Sequence, residues 1–293
     1  MTTTSLFEAP EPVAPFKTQL LKWIGNKQRF AHEIASYFPG DVATYYEPFL
    51  GSGAVLSTYA PRRGVAADAL APLAEIWTCL EQNPEELKSW YAERRNRVAA
   101  DFSNKSAVYE QVKSAFNASP NGADLLYLCR SCYGGVVRFR QADRHLSTPC
   151  GAHTPISSDS FDKRVDLWAE RVRGTTFAHA DYRDTMAQAR RGDLVYCDPP
   201  YTDSQTILYG AHRFSLEELF EAIDRCRSRG VRVALSIDGT KKSGLKTVLN
   251  EAPDGLFKSE VMVNCGRSML RRFQMEGMSL ESEVVADRLL LTY

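Results

Sequence analysis

The chain has 293 residues, 44% of them hydrophobic, enough to close a core around one large domain or a domain carrying an inserted unit. Basic and acidic residues number 36 each, so a global basic field is excluded and any grip on a polyanion has to be a local patch. Seven cysteines without regular spacing fit a reduced interior; with neither a membrane-length apolar run nor a secretory pattern at the N-terminus, the expectation is a cytoplasmic protein without membrane association.

Residues 1–16, rich in proline and threonine, read as a flexible arm. From Phe16 to Ile24 the chain leads into Gly25-Asn26-Lys27, after which Phe30, Ile34, Tyr37 and Phe38 recur at helical spacing until Pro39-Gly40 stops the pattern. Tyr45-Tyr46-Glu47-Pro48-Phe49-Leu50-Gly51-Ser52-Gly53-Ala54-Val55-Leu56 starts as a strand, passes through glycines and enters an apolar segment able to open a helix. That is the layout of a βα turn whose backbone approaches a ligand closely. Arg63 to Asp68 reads as a second strand ending in an acid; Asp68 suits ribose hydroxyls, or a helix cap before Leu70 to Leu80, and both can hold together.

From about Ile76 to Ala178 the strand and helix alternation lapses, and Glu85 to Arg97, Ala107 to Phe116 and Ala123 to Cys132 read as helices of an insertion. Cys129 and Cys132, with His145, Cys150 and His153 downstream, have spacing that fits no common zinc module, so buried structural thiols are expected and no metal. Phe177 to Tyr182 resumes the strand pattern and ends in Asp181, which alternatively caps a helix over Asp184 to Ala189. Asp193 to Cys197 is an apolar strand that two prolines force out of the sheet at Asp198-Pro199-Pro200-Tyr201. A carboxylate, a rigid turn and an aromatic ring thus share a strand's carboxyl end, where open α/β sheets bind ligands. The group suits an exocyclic amine on a flat heterocycle: Asp198 and the Pro199 carbonyl accept its hydrogens and Tyr201 stacks on the ring. An ordinary Pro-Pro turn is the competing reading.

The polar loop Thr202 to Arg213 is placed to act as a lid. Ser215 to Arg227 is a helix capped by a Ser215 and Glu218 box, Val231 to Gly239 is a buried strand with a turn, and Phe257 to Val263 and Val284 to Thr292 close the series.

The two motifs, Tyr45 to Leu56 and Asp198-Pro199-Pro200-Tyr201, together resemble the Dam-like N6-adenine DNA methyltransferases, S-adenosylmethionine-dependent and amino-directed. The resemblance implies an α/β Rossmann-like methyltransferase fold with a mostly parallel central sheet and a largely helical target-recognition insertion. The catalytic domain then takes residues 17–75 and 177–293 and the insertion residues 76–176. It implies S-adenosyl-L-methionine as cofactor and double-stranded DNA as partner, in a monomer or weak dimer. Leu21 to Lys27 is similar to the family's first cofactor segment, with Asn26 in place of a glycine; this puts Trp23 and Lys27 in the cofactor pocket, Lys27 near the methionine carboxylate. Glu47, Pro48, Phe49, Gly51, Ser52, Gly53, Asp68, Asp181, Tyr182 and Asp198 complete that pocket, Asp181 at the amino group of the cofactor's adenine. Asp198, Pro199, Pro200 and Tyr201 are the expected catalytic set.

Leu125 to Arg140 with Ser147 to Gly151 resembles the family's recognition region, with Gly134-Gly135 in place of Asn-Gly and Cys150 in place of a phenylalanine. Arg130, Arg138, Arg140 and Arg144 face only Asp143, with Tyr133 and Phe139 interleaved; Arg130, Tyr133, Arg138, Arg140 and Arg144 are therefore read as DNA contacts against the alternative of a solvated hairpin. Arg267, Arg271 and Arg272 are candidates for gripping phosphates. Rival functions are N4-cytosine methylation, for which Ser-Pro-Pro-Tyr is the commoner signature, RNA or protein-amide methylation, and a decayed DNA-binding module, which the intact Asp68, Asp181 and Asp198 argue against.

Overall fold

The computed structural model describes residues 12–140, 142–200, 214–238, 240–241, 246–247, 252–266 and 285–293. It opens with α1 (Ala31–Ser36), β1 (Tyr45–Glu47), α2 (Ala54–Tyr59) and β2 (Gly64–Asp68). A helical run follows: α3 (Ala71–Gln82), α4 (Pro84–Arg95), α5 (Lys105–Ala118), α6 (Gly122–Ser131) and α7 (Ser158–Arg171). Alternation resumes with β3 (Thr175–His179), α8 (Tyr182–Gln188), β4 (Leu194–Cys197), α9 (Leu216–Ser228) and β5 (Arg232–Asp238). The two-residue pair β6 (Thr240–Lys241) and β7 (Lys246–Thr247) precedes β8 (Ser259–Gly266) and β9 (Val285–Leu291).

The main sheet has the order β3-β2-β1-β4-β5-β9-β8. From β3 to β5 neighbouring strands are parallel, and β9 runs antiparallel to both β5 and β8. The order reverses between β1 and β4, the kind of switch point outside which doubly wound sheets leave a ligand crevice.

Both faces of the central strands are covered, which is why they read as near-continuous apolar runs. Tyr45, Leu194, Tyr196 and Ala234 pack with α1 and the α3–α7 helices, and the alternate residues Tyr46, Val195, Cys197, Val233 and Leu235 pack with α8 and α9. In α9, Leu219, Phe220, Ile223 and Cys226 form the buried stripe, and Ser215 Oγ accepts from Glu218 N at 3.4 Å as the cap predicts.

The helices between β2 and β3 share one hydrophobic cluster with the sheet. Trp77 of α3 and Trp168 of α7, both fully buried, meet at 5.2 Å, and Phe16 lies edge-on to Trp168 at 5.5 Å. The sequence reading gave α7 no helix, although Ser157 caps it and Phe161, Val165 and Trp168 form its buried face. Cys129 and Cys132 are buried, with burial pushing both thiols up, Cys132 to about 12. Among the described residues no helix is long and apolar enough to cross a membrane.

Candidate active site

A cavity of about 770 Å³ opens beyond the carboxyl ends of β1, β2 and β4. Of the residues singled out from the sequence, Trp23, Lys27, Glu47, Pro48, Phe49, Gly51, Ser52, Asp68, Asp181, Tyr182, Asp198 and Pro200 line it. Pro199 is buried between Asp198 and Pro200. Tyr201, the Thr202 to Arg213 loop, and Arg267, Arg271 and Arg272 lie outside the described residues.

The turn after β1 is built on two left-handed glycines, Gly51 at φ +50° and Gly53 at φ +62°. A Cβ on Gly53 would stand 3.1 Å from the Trp77 ring and 3.3 Å from Trp168, so a side chain is resisted by backbone and packing together. Asp68, at the end of β2, ties the turn down: one carboxylate oxygen accepts from Gly51 N and the other from Leu70 N, both at 2.9 Å. Leu70 is the cap residue of α3, so Asp68 supports the helix start from one step outside it. Burial raises the Asp68 pKa, and the Leu70 and Gly51 N–H groups counter it. A carboxylate offers about four lone-pair directions, so two remain for ligand hydroxyls.

At the end of β4 the Asp198 carboxylate meets the Lys27 ammonium at 3.0 Å, and Lys27 also reaches Asp287 of β9 at 3.3 Å. The lysine side chain is only 5% exposed, and a buried ammonium is stable only beside anions. The structure therefore turns Lys27 toward two protein carboxylates, where the resemblance anticipated a cofactor carboxylate. Glu47 lies behind them, accepting from Tyr45 Oη at 2.6 Å and facing the Leu56 N–H in the first turn of α2. Burial, helped by the neighbouring charge of Asp198, pushes Glu47 up to about 8, so it is protonated at neutral pH.

An aromatic wall adjoins: Phe49 stacks on Tyr182 at 5.0 Å and meets Phe214 edge-on at 5.9 Å. The Tyr182 hydroxyl is buried without a hydrogen-bond partner among the described residues. Asp181 caps α8 by accepting from Arg183 N at 2.9 Å, and the Arg183 side chain pairs with it at 2.8 Å, which lowers its pKa. Capping and lining the cavity thus coexist in this residue. On the far side Phe116, Asn117, Phe139, Asp143, Arg144 and His145 complete the cavity. Asn117 locks that side in place by exchanging hydrogen bonds with the Leu146 backbone at 2.7 and 3.1 Å.

Tyr133, Arg138, Arg140 and Arg144 are exposed near or on a short hairpin held by Arg140 N to His145 O at 2.9 Å and Ser147 N to Arg138 O at 2.9 Å. Arg140 forks onto Asp143 at 2.5 and 3.0 Å. Arg130 requires a correction: it is 6% exposed, donates to the Leu20 carbonyl at 2.6 Å and the Gln19 carbonyl at 3.3 Å, and lies over the Phe161 ring. It staples the entry segment to α6 and is too deep to touch a duplex. Counting charges along the chain is blind to which helix face is buried.

Asp287, Phe214, Asn117 and Phe116 join the site without having been singled out from the sequence. Phe214, next to the Asp-Pro-Pro-Tyr loop, left a weak signal; Asp287 left none, since only the sheet order brings β9 to Lys27.

A doubly wound sheet with an antiparallel strand near its edge, a glycine turn braced by a strand-end acid, and Asp-Pro-Pro at the switch point define a Rossmann-like methyltransferase. The profile of the D12 class N6 adenine-specific DNA methyltransferases matches residues 23–259, and the chain belongs to that family. It is similar to the DNA adenine methylase of Vibrio cholerae, 26% identical over 232 residues, covering 74% of this chain and 79% of the relative. The DNA adenine methylase of Serratia marcescens is 29% identical over 222 residues, covering 67% and 78%, and that of Haemophilus influenzae 26% over 216 residues, covering 71% and 73%.

Proposed function

We propose that this N6-adenine DNA methyltransferase uses S-adenosylmethionine and acts on an adenine rotated out of duplex DNA, with Asp198 and the Pro199 carbonyl accepting from the exocyclic amine. The observation that carries this reading is the sharing of one cavity by the Gly51 turn, Asp68 and Asp198. The residues present fit the cofactor. Asp68 has acceptor capacity left for ribose hydroxyls, Phe49 and Tyr182 present an aromatic wall, and the Asp181 carboxylate offers a polar contact to an adenine. When bound, S-adenosylmethionine supplies an electrophilic methyl group.

The chain's own task is to present the amine. Conjugation ties up the N6 lone pair, and two acceptors held in fixed directions favour its pyramidal form. Lys27 pairs with Asp198 and fixes its direction, and orientation supplies most of the acceleration. Tyr201 stacks on the extruded base, and the base leaves the duplex because N6 is otherwise inaccessible. Residues 76–176 serve target recognition, with Tyr133, Arg138, Arg140 and Arg144 on the DNA side and Arg267, Arg271 and Arg272 at phosphates. The protein works in the cytoplasm as a monomer or weak dimer.

Asp198→Ala tests the reading: methyl transfer to DNA should fall by at least about 10²-fold while S-adenosylmethionine binding persists. Sequencing DNA from cells expressing the native chain, with modified bases called, should find marks on adenine at one sequence context. Methylation retained by the variant, or marks divided evenly between adenine and cytosine, would overturn it.

A further inference from the structure

The edge of the sheet opposite the cavity carries an arginine pattern that the reaction does not use. The parallel strands β2, β3, β4 and β5 are each approached through Arg-Gly: Arg63-Gly64, Arg173-Gly174, Arg191-Gly192 and Arg229-Gly230. The glycines have a local reason, since Gly174, Gly192 and Gly230 take left-handed φ where the chain leaves a helix. Among the arginines Arg229 has one too, donating to the Met186 carbonyl at 2.9 Å and the Ala189 carbonyl at 3.4 Å. Arg62, Arg63, Arg173, Arg190 and Arg191 are exposed, and none makes a side-chain hydrogen bond or ion pair among the described residues. The two acids in the loops between helix and strand at this edge are already engaged: Asp41 by Arg232, and buried Asp193 by the Arg190 N–H at 2.8 Å.

Helices α2, α7, α8 and α9 end at this edge, and their carboxyl termini favour nearby cations. Their summed partial charge is only about −2, against the five guanidiniums, so a positive stripe remains. Strand pairing sets its dimensions. The five exposed arginines precede β3, β2 and β4, so they span four adjacent strands, about 14 Å at the usual strand spacing. At about 3.4 Å per base pair this matches about four base pairs of duplex. Guanidinium forks suit phosphate oxygens in particular.

We propose that this back edge is a second duplex-binding surface, contacting the phosphate backbone of a DNA segment other than the one whose base enters the cavity. Strands of four to seven residues separate the two edges by on the order of 15–20 Å, so one straight duplex does not serve both. DNA is the occupant chosen because the chain's family acts on it, and the surface itself requires no part of the proposed transfer geometry. The enzyme would then hold two segments at once, one being read and one retained.

The test is a stoichiometric titration of the full chain with a fluorescent 20-base-pair duplex at low salt, followed by a salt series. The native chain should take up two duplexes. R62Q/R63Q/R190Q/R191Q should take up one, with second-site affinity at least tenfold weaker and its salt slope reduced by roughly 3 to 4, at about 0.9 per lost phosphate contact. The separate pairs R62Q/R63Q and R190Q/R191Q should each give part of that loss. Methylation of plasmid DNA and the melting temperature should match the native chain and report an intact fold. Uptake of a single duplex by the native chain, or an unchanged second site in the quadruple variant, would overturn the proposal. Because the readout is DNA uptake, a chain that binds two duplexes and methylates neither would sink the proposed transfer chemistry and leave this surface standing.

Discussion

Lys27 Nζ lies 3.0 Å from Asp198 Oδ1, and the same ammonium reaches Asp287 at 3.3 Å, so the acid at the end of β4 is linked to β9 through one buried cation. The entry segment, the switch-point strand and the antiparallel strand near the sheet's edge therefore meet at a single charge. Asp198 also acts on its neighbour Glu47, whose pKa burial and the Asp198 charge raise.

Replacing Lys27 with Met should move the acid limb of the pH profile for methyl transfer upward. A cation within hydrogen-bond distance favours an ionised carboxylate by about one to three pH units. Without it Asp198 takes up a proton at higher pH, and activity at pH 6 should fall more than activity at pH 8. Asp287→Asn leaves the Lys27 and Asp198 contact in place and should shift the limb less. An acid limb unmoved by Lys27→Met would show that this lysine does not maintain the Asp198 charge.

Glu47 makes stability depend on pH in the unusual direction for a carboxyl. Its pKa is raised from 4.5 to about 8, so between those values the folded chain binds more protons than the unfolded chain. Its contribution to stability is fully present below about pH 4.5 and is lost as pH rises through 8. Glu47→Gln keeps an acceptor for Tyr45 Oη and removes the titration. The variant's melting temperature relative to the native chain should therefore rise between pH 6 and pH 9, as followed by thermal denaturation; a constant difference would show that Glu47 is already ionised.

Arg130 and Arg138 should separate folding from DNA contact. Arg130→Ala leaves the Leu20 carbonyl without its donor, while Gln19 keeps its bond from Arg164, and opens a gap over Phe161, costing about 2–4 kcal/mol of stability. Affinity of the folded fraction for DNA should be unchanged. Arg138, exposed on the hairpin, should behave in reverse: Arg138→Ala keeps the melting temperature and weakens DNA binding in a salt-dependent way. Equal DNA affinity in Arg138→Ala and the native chain would remove this hairpin from the interface.

Residues adjacent in sequence specify strands, turns and the acids at their ends, because alternation, glycine and proline act through the local backbone. The Gly51 turn, Asp68 and Asp198-Pro199-Pro200 were legible for that reason, and so were the buried strand through Val233 and Leu235 and the cap at Ser215. Helix α7 was written in the same terms, with its Ser157 cap and Phe161, Val165 and Trp168 stripe, and was hidden only by the many charges between them. Other features were not legible from local pattern at all. Arg130 reads as a free cation until packing places its face of α6 against the entry segment. Lys27 and Asp287 come from opposite ends of the chain, and their contact exists because β9 inserts antiparallel beside β5. The choice of partner for a buried charge belongs to tertiary structure: desolvation forces a pairing, and sheet order decides which carboxylates are within reach.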